Sequence, residues 1–159
     1  MAYVKPFKGL RYSARFGSDI SGLICPPYDV INAAMQEQLL SRHPYNMVRL
    51  ELPPGPPPHS YETARTLLGD WQRKGILKAD EKECFYVSET MFSPPPGAII
   101  PKKNRTVTPG RSTYVRRGMF CALRVEPRSK KVILPHEKTL PKPKTERLKL
   151  METMRVSTS

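Results

Sequence analysis

Cysteine is scarce in this sequence, three residues in 159, and tryptophan is scarcer, at one. Cys25, Cys84 and Cys121 are odd in number and far apart, which fits neither a disulfide framework nor the paired C-x-x-C spacing of a structural zinc site. They are expected to be reduced, buried small hydrophobes; Cys25 alone is open to a catalytic role, and nothing beside it in sequence would lower its pKa. A phosphate-cradling glycine loop, a Ser-His-Asp signature and a His-Glu-x-x-His motif are also missing, which removes the commonest nucleotide-binding, hydrolase and zinc-protease assignments. No apolar run approaches the roughly 20 residues of a membrane span, and the start, Met1-Ala2-Tyr3-Val4-Lys5-Pro6-Phe7, lacks the apolar core of a signal peptide. A cytoplasmic protein without membrane association is expected. Acidic residues are few as well: 14 Asp and Glu stand against 27 Lys and Arg, a formal charge of +13.

What is plentiful is proline, 18 residues, against nine glycines. Together they stay below the roughly 25–30% of low-complexity chains. With 38% hydrophobic residues and a mean hydropathy of −0.50, the chain has the makeup of one soluble, largely globular domain. Its charge is unevenly spread. Residues 1–92 carry 11 basic against 10 acidic residues, residues 93–131 carry 10 against 1, and residues 132–159 carry 6 against 3. The stretch 93–116 holds Pro94-Pro95-Pro96-Gly97, Lys102, Lys103, Arg105, Arg111 and Arg116, and is expected to be a long basic insertion loop. As a nucleic-acid contact it would act on phosphates; it lacks the interleaved aromatics of single-strand binders, and a solvated insertion is the plainer reading.

The coarse element reading begins with a short strand among turn residues at Pro6–Tyr12 and another at Leu23-Ile24-Cys25, stopped by Pro26-Pro27. Asn32 is an expected N-cap for a helix over Ala33 to Arg42, with Met35, Leu39 and Leu40 facing inward. Met47–Leu52 alternates apolar and charged residues, the pattern of a half-buried strand in which Arg49 and Glu51 share a face. Ser60 is expected to cap a helix whose stripe is Tyr61, Ala64, Leu67, Leu68 and Trp71 and which ends at Gly75, with Ile76-Leu77 in the exit turn. Strands are expected from Cys84 to Phe92 and from Gly118 to Val125, the latter pairing as a hairpin with Val132-Ile133-Leu134. A last helix is expected from about Thr145 through Leu148, Leu150 and Met151. The sum is an α+β fold, a mixed sheet with two or three helices, with 1–159 the amino-terminal portion of one domain.

Two groups of residues could carry chemistry. His136-Glu137 follows a strand and could supply a general base or acid, with Arg147 able to grip a phosphate or carboxylate. An exposed turn that caps Thr139 is the plainer reading. Tyr28-Asp29 sits in a turn stiffened by Pro26-Pro27, which could aim a phenol and a carboxylate into a cleft; an Asx-type turn at the helix start competes with that. Trp71 is read as core, and His43 and His59, beside prolines, as surface residues. No metal site is expected, and the residues name no cofactor.

Five ordered stretches form a recognisable pattern: Pro6-Phe7-Lys8-Gly9-Leu10-Arg11, Pro26-Pro27-Tyr28-Asp29-Val30, His43-Pro44-Tyr45-Asn46 with Arg49-Leu50, Tyr61 to Leu77, and Leu134-Pro135-His136-Glu137-Lys138-Thr139 with Arg147-Leu148. They resemble the amino-terminal part of the uncharacterised bacterial and archaeal family called domain of unknown function 1015. Members of that family are typically longer and carry an Asp-Gly-His-His-Arg-Tyr motif similar to the phosphate-binding motif of partition proteins, sulfiredoxin and free-serine kinases; this sequence stops before it. The resemblance implies phosphate- or nucleotide-linked, phosphoryl-transfer chemistry for the full-length relatives. Tyr28, Asp29, His136, Glu137 and Arg147 match the family's motif positions, to which the resemblance assigns no role; a cleft lined by His136, Glu137, Tyr28 and Asp29, with Arg147 as its anion contact for a phosphorylated small molecule or nucleotide, is the expectation. The alternatives are a nucleic-acid-binding module acting through 93–131 and a truncated, inactive fragment.

Overall fold

The structure is a computed structural model that describes residues 1–93, 105–108, 111–134 and 141–158, with 105–108, 111–113 and 141–143 described by main chain only. The chain forms two compact units, Met1–Gly9 with Asp80–Leu134, and Leu10–Ala79 with Pro135–Ser159. It is an α+β fold, and its strands make three small antiparallel sheets where a single mixed sheet was expected.

In the first unit β1 (Val4–Lys5) pairs with β7 (Ala122–Leu123), while β4 (Tyr86–Phe92), β6 (Arg111–Phe120) and β5 (Arg105–Thr108) form a three-stranded sheet with β6 in the middle. The β5–β6 hairpin runs through the stretch expected to be loop; 94–104 and 109–110 lie outside the described residues. The expected hairpin between 118–125 and 132–134 does not form. Leu123 is laddered to Val4 instead, and the 3-10 turn Arg128–Lys130 leaves through Lys131 in the left-handed region (φ 49°), away from a hairpin register. Gly9 is needed where it stands: its amide donates to the Tyr86 hydroxyl at 2.6 Å, and a Cβ there would lie 2.8 Å from the Tyr86 ring. That hydroxyl donates in turn to Asp80 Oδ2 at 2.6 Å. Against expectation, none of the three cysteines is fully buried: Cys25 and Cys121 are half-buried, and Cys84, which bridges Phe7, is exposed.

The second unit holds the helices and nearly all the core. α1 (Ala33–Arg42) begins as expected, with Asn32 Oδ1 accepting from the Met35 amide, and it buries Leu39 with Met35 and Leu40 beside it. His43 does not stand free at its end: its Nδ1 accepts from the Tyr45 amide and its ring meets Phe16 and Tyr45. The run 47–52 is not a strand. It forms a single turn, α2 (Val48–Glu51), because Asn46 Oδ1 caps the Val48 amide and Leu52 is followed by Pro53, which disfavours further helix. Arg49 and Glu51 therefore do not share a sheet face; Arg49 Nη2 donates to the Leu40 carbonyl and its Nε is buried without a partner.

α3 (His59–Arg73) starts one residue before the expected cap, after Pro58, and Ser60 is a buried residue of its first turn; His59 is exposed. It ends where Gly75 takes φ +63°, a left-handed conformation that suits glycine. Ile76 and Leu77 do more than turn: Leu77–Ala79 is β3, antiparallel to β2 (Leu10–Tyr12). Residues 23–25 are an irregular connection rather than a strand, held by Asn46, whose Nδ2 donates to the carbonyls of Gly22 and Ile24. α4 (Pro141–Met154) starts earlier than Thr145 and packs on α3 through Leu150 and Met154, leaving Leu148 exposed. Trp71, 1% exposed, lies against Tyr12 and Tyr45 in the core cluster that also holds Leu150 and Met154 of α4.

Candidate functional site

Arg147, Leu150, Met151 and Met154 are spaced by three, four and seven residues and so share a face of α4. That face turns the guanidinium inward with the apolar stripe instead of to solvent. On the other side, α2 is one turn long and presents its last residue, Glu51, inward next to Leu50. The two charges meet. Arg147 Nη2 donates to Glu51 Oε1 at 2.5 Å and Nη1 to the Glu51 carbonyl at 2.9 Å, with side-chain exposures of 13% and 10%.

The prolines ahead of Tyr28 do what their rigidity predicts: Pro27 is fixed at φ −54°, ψ 143°, and hands the chain into a 3-10 turn, Tyr28–Val30, closed by the Val30 amide on the Pro27 carbonyl. This sets the Tyr28 ring face against the Arg147 guanidinium at 4.9 Å, a cation–π contact. Past α4 the chain returns so that the Thr158 carbonyl and hydroxyl oxygens both accept from Arg147 Nη2. One guanidinium thus gathers α2, the Tyr28 turn and the segment after α4.

These residues border a cavity of about 630 Å³ within the second unit, a size suited to a small organic ligand. Its walls are chiefly apolar, from Leu10, Leu50, Leu68, Leu77 and Met151, and Cys25 and the 156–158 segment also line it. Burial and the Glu51 carboxylate push the Cys25 thiol up to about 11, against the pull of Arg147, so it is a neutral thiol at physiological pH and a poor nucleophile. Burial also raises the Tyr12 hydroxyl, which donates to the carbonyls of Tyr45 at 2.7 Å and Leu23 at 3.2 Å.

Of the residues singled out in the sequence, Tyr28 and Arg147 are brought together at this cavity. Asp29 is exposed on the 3-10 turn and does not line it. His136 and Glu137 lie outside the described residues. Glu51 and Thr158 are the site residues that sequence reasoning missed. Glu51 pairs across 96 positions, which no local pattern reveals, though a lone carboxylate among Val48, Leu50 and Leu52 asks for a cationic partner. Among the described residues no three His, Cys, Asp or Glu side chains converge as a metal site would require, and no helix is long and apolar enough to cross a membrane.

The family model described as protein of unknown function (DUF1015) matches residues 4–159. The chain belongs to that family. The match includes every residue of the cavity, from Leu10 to Thr158. No curated protein and no solved structure matches.

Proposed function

We propose that the second unit binds a small molecule, its apolar body in the 630 Å³ cavity and an anionic group, a carboxylate or a phosphoryl group, on Arg147. The observation that carries this reading is the guanidinium itself. It is largely withdrawn from solvent, paired with Glu51 and set over the Tyr28 ring, and its Nη2 already accommodates two further oxygens, those of Thr158. A planar fork held that way is suited to carboxylate or phosphate. In this form the phosphate-linked chemistry implied for the family carries over to the chain as anion recognition, with any general acid or base work falling to His136 and Glu137.

Isothermal titration calorimetry with inorganic phosphate, AMP and hexanoate tests it, comparing the natural chain with Arg147→Lys. The expected result is binding of at least one anion, weakened tenfold or more by the substitution, since lysine keeps the charge and loses the fork. Equal affinity in a folded Arg147→Lys chain contradicts the reading.

A second reading belongs to the first unit, which holds 13 Lys and Arg against 5 Asp and Glu. Arg116, Arg128 and Lys131 are exposed there, whereas Arg117, Arg124 and Lys130 are engaged by Glu89 and Glu126. Such an excess favours a polyanion such as nucleic acid. Anisotropy of a labelled oligonucleotide would then fall steeply with salt, each neutralised phosphate contributing a slope of about −0.9. Binding that ignores salt, or that survives deletion of 97–115, removes this reading.

A further inference from the structure

We propose that the floor of the cavity selects a zwitterion, a small apolar-tailed molecule whose anionic group takes Arg147 and whose ammonium group takes Glu51. This rests on the reading that the cavity is a ligand site with Arg147 as its anion contact, and adds the charge class of the ligand. Glu51 and Arg147 are the only Asp, Glu, Lys or Arg among the described residues lining the cavity. Being paired, they make its floor a neutral dipole buried among leucines and a methionine. A ligand with a single negative charge would meet the guanidinium and also the carboxylate beside it. A lone cation would meet the reverse. That second contact, at the same distance, is repulsive and opposes binding. A zwitterion laid antiparallel to the pair satisfies both charges and adds no net charge to the cavity.

The arrangement works by exchange. Arg147 gives Nη1 to the Glu51 carbonyl and Nη2 to Glu51 Oε1, and Nη2 also serves the two neutral oxygens of Thr158, which a ligand's anionic oxygens would displace. Glu51 meets Arg147 through Oε1, and Arg147 is its one ion-pair partner among the described residues; the ligand's ammonium group would take the carboxylate from its other oxygen. Cys25 lines the same cavity, where burial first and Glu51 second raise its thiol and Arg147 lowers it.

The test uses three probes of one shape on the chain 1–159. L-Leucine carries both charges, isocaproate lacks the ammonium and isoamylamine lacks the carboxylate. The account predicts that L-leucine binds at least tenfold more tightly than either partial probe. It predicts that Glu51→Gln, which keeps a hydrogen-bonding partner for Arg147, reverses the order so that isocaproate binds best. Isocaproate binding the natural chain as well as L-leucine overturns the zwitterion while leaving Arg147 as an anion contact. Phosphate or AMP binding through Arg147 with no binding of L-leucine or L-phenylalanine at millimolar concentration does the same. Failure of every anion and zwitterion removes both readings. Should Glu51→Gln fail to fold, the three-probe comparison on the natural chain still decides.

Discussion

Asn46, fully buried, ties three main-chain groups together: it donates to the carbonyls of Gly22 and Ile24 and accepts from the amide of Val48. Asn46→Ala leaves those groups without partners in the interior, and a loss of roughly 2–4 kcal/mol is expected in urea unfolding. Arg147 and Glu51 test each other in the same way. Arg147→Met leaves a buried carboxylate unpaired and should cost about 3–5 kcal/mol, whereas adding Glu51→Leu should recover much of it, which a double-mutant cycle would read as strong coupling. At Cys25, with its thiol near 11, alkylation by iodoacetamide at pH 8 should be at least tenfold slower than in the urea-unfolded chain, measured by peptide mass spectrometry. Tyr12 sets an alkaline limit. Its hydroxyl titrates above its ordinary value of about 10 when folded, so the protonated form is favoured by folding; its contribution is whole below about pH 10 and is lost as pH rises beyond it. Tyr12→Phe should therefore flatten the fall of stability above pH 10.

The elements were legible in the sequence in proportion to how locally they are determined. α1 was readable to its first and last residues because Asn32 caps it and His43-Pro44 ends it, and α3 because its apolar stripe runs for four turns to a glycine with positive φ. α2 was not, since four residues are too few to separate a period of two from one of 3.6, and the deciding contact comes from the Asn46 side chain. β3 was hidden because its partner, β2, lies more than sixty residues earlier, and β7 chose β1 over the neighbouring 132–134 for the same kind of reason. Of the residues around the cavity, Tyr28 and Arg147 are singled out by the stiff proline turn and the motif pattern, Asp29 does not line it and 136–137 lie outside the described residues; Glu51 and Thr158 come to it through folding alone. Asn32→Ala should lower stability by about 1 kcal/mol, seen as reduced protection of the first amides of α1 in hydrogen exchange.

For the whole molecule, the uneven distribution of core is the dominant feature. Both apolar clusters belong to the second unit, and Tyr114 is the one buried hydrophobic residue described in the first, where Val87, Met91, Met119 and Val125 stand exposed on or beside short strands. Amides of α3 and α4 should accordingly exchange far more slowly than those of β4 and β7, as hydrogen exchange read by mass spectrometry would show. The proposed ligand site lies wholly in the well-packed unit, where a cavity lined by ordered side chains can hold its shape. The most direct test of that site is a two-dimensional amide NMR titration of the chain 1–159 with L-leucine. The account predicts saturable shift changes confined to residues 24–28, 47–51 and 147–158 and lost in Arg147→Lys. Shifts gathered on 86–125 instead, or none with L-leucine and none with phosphate or AMP at millimolar concentration, would contradict it.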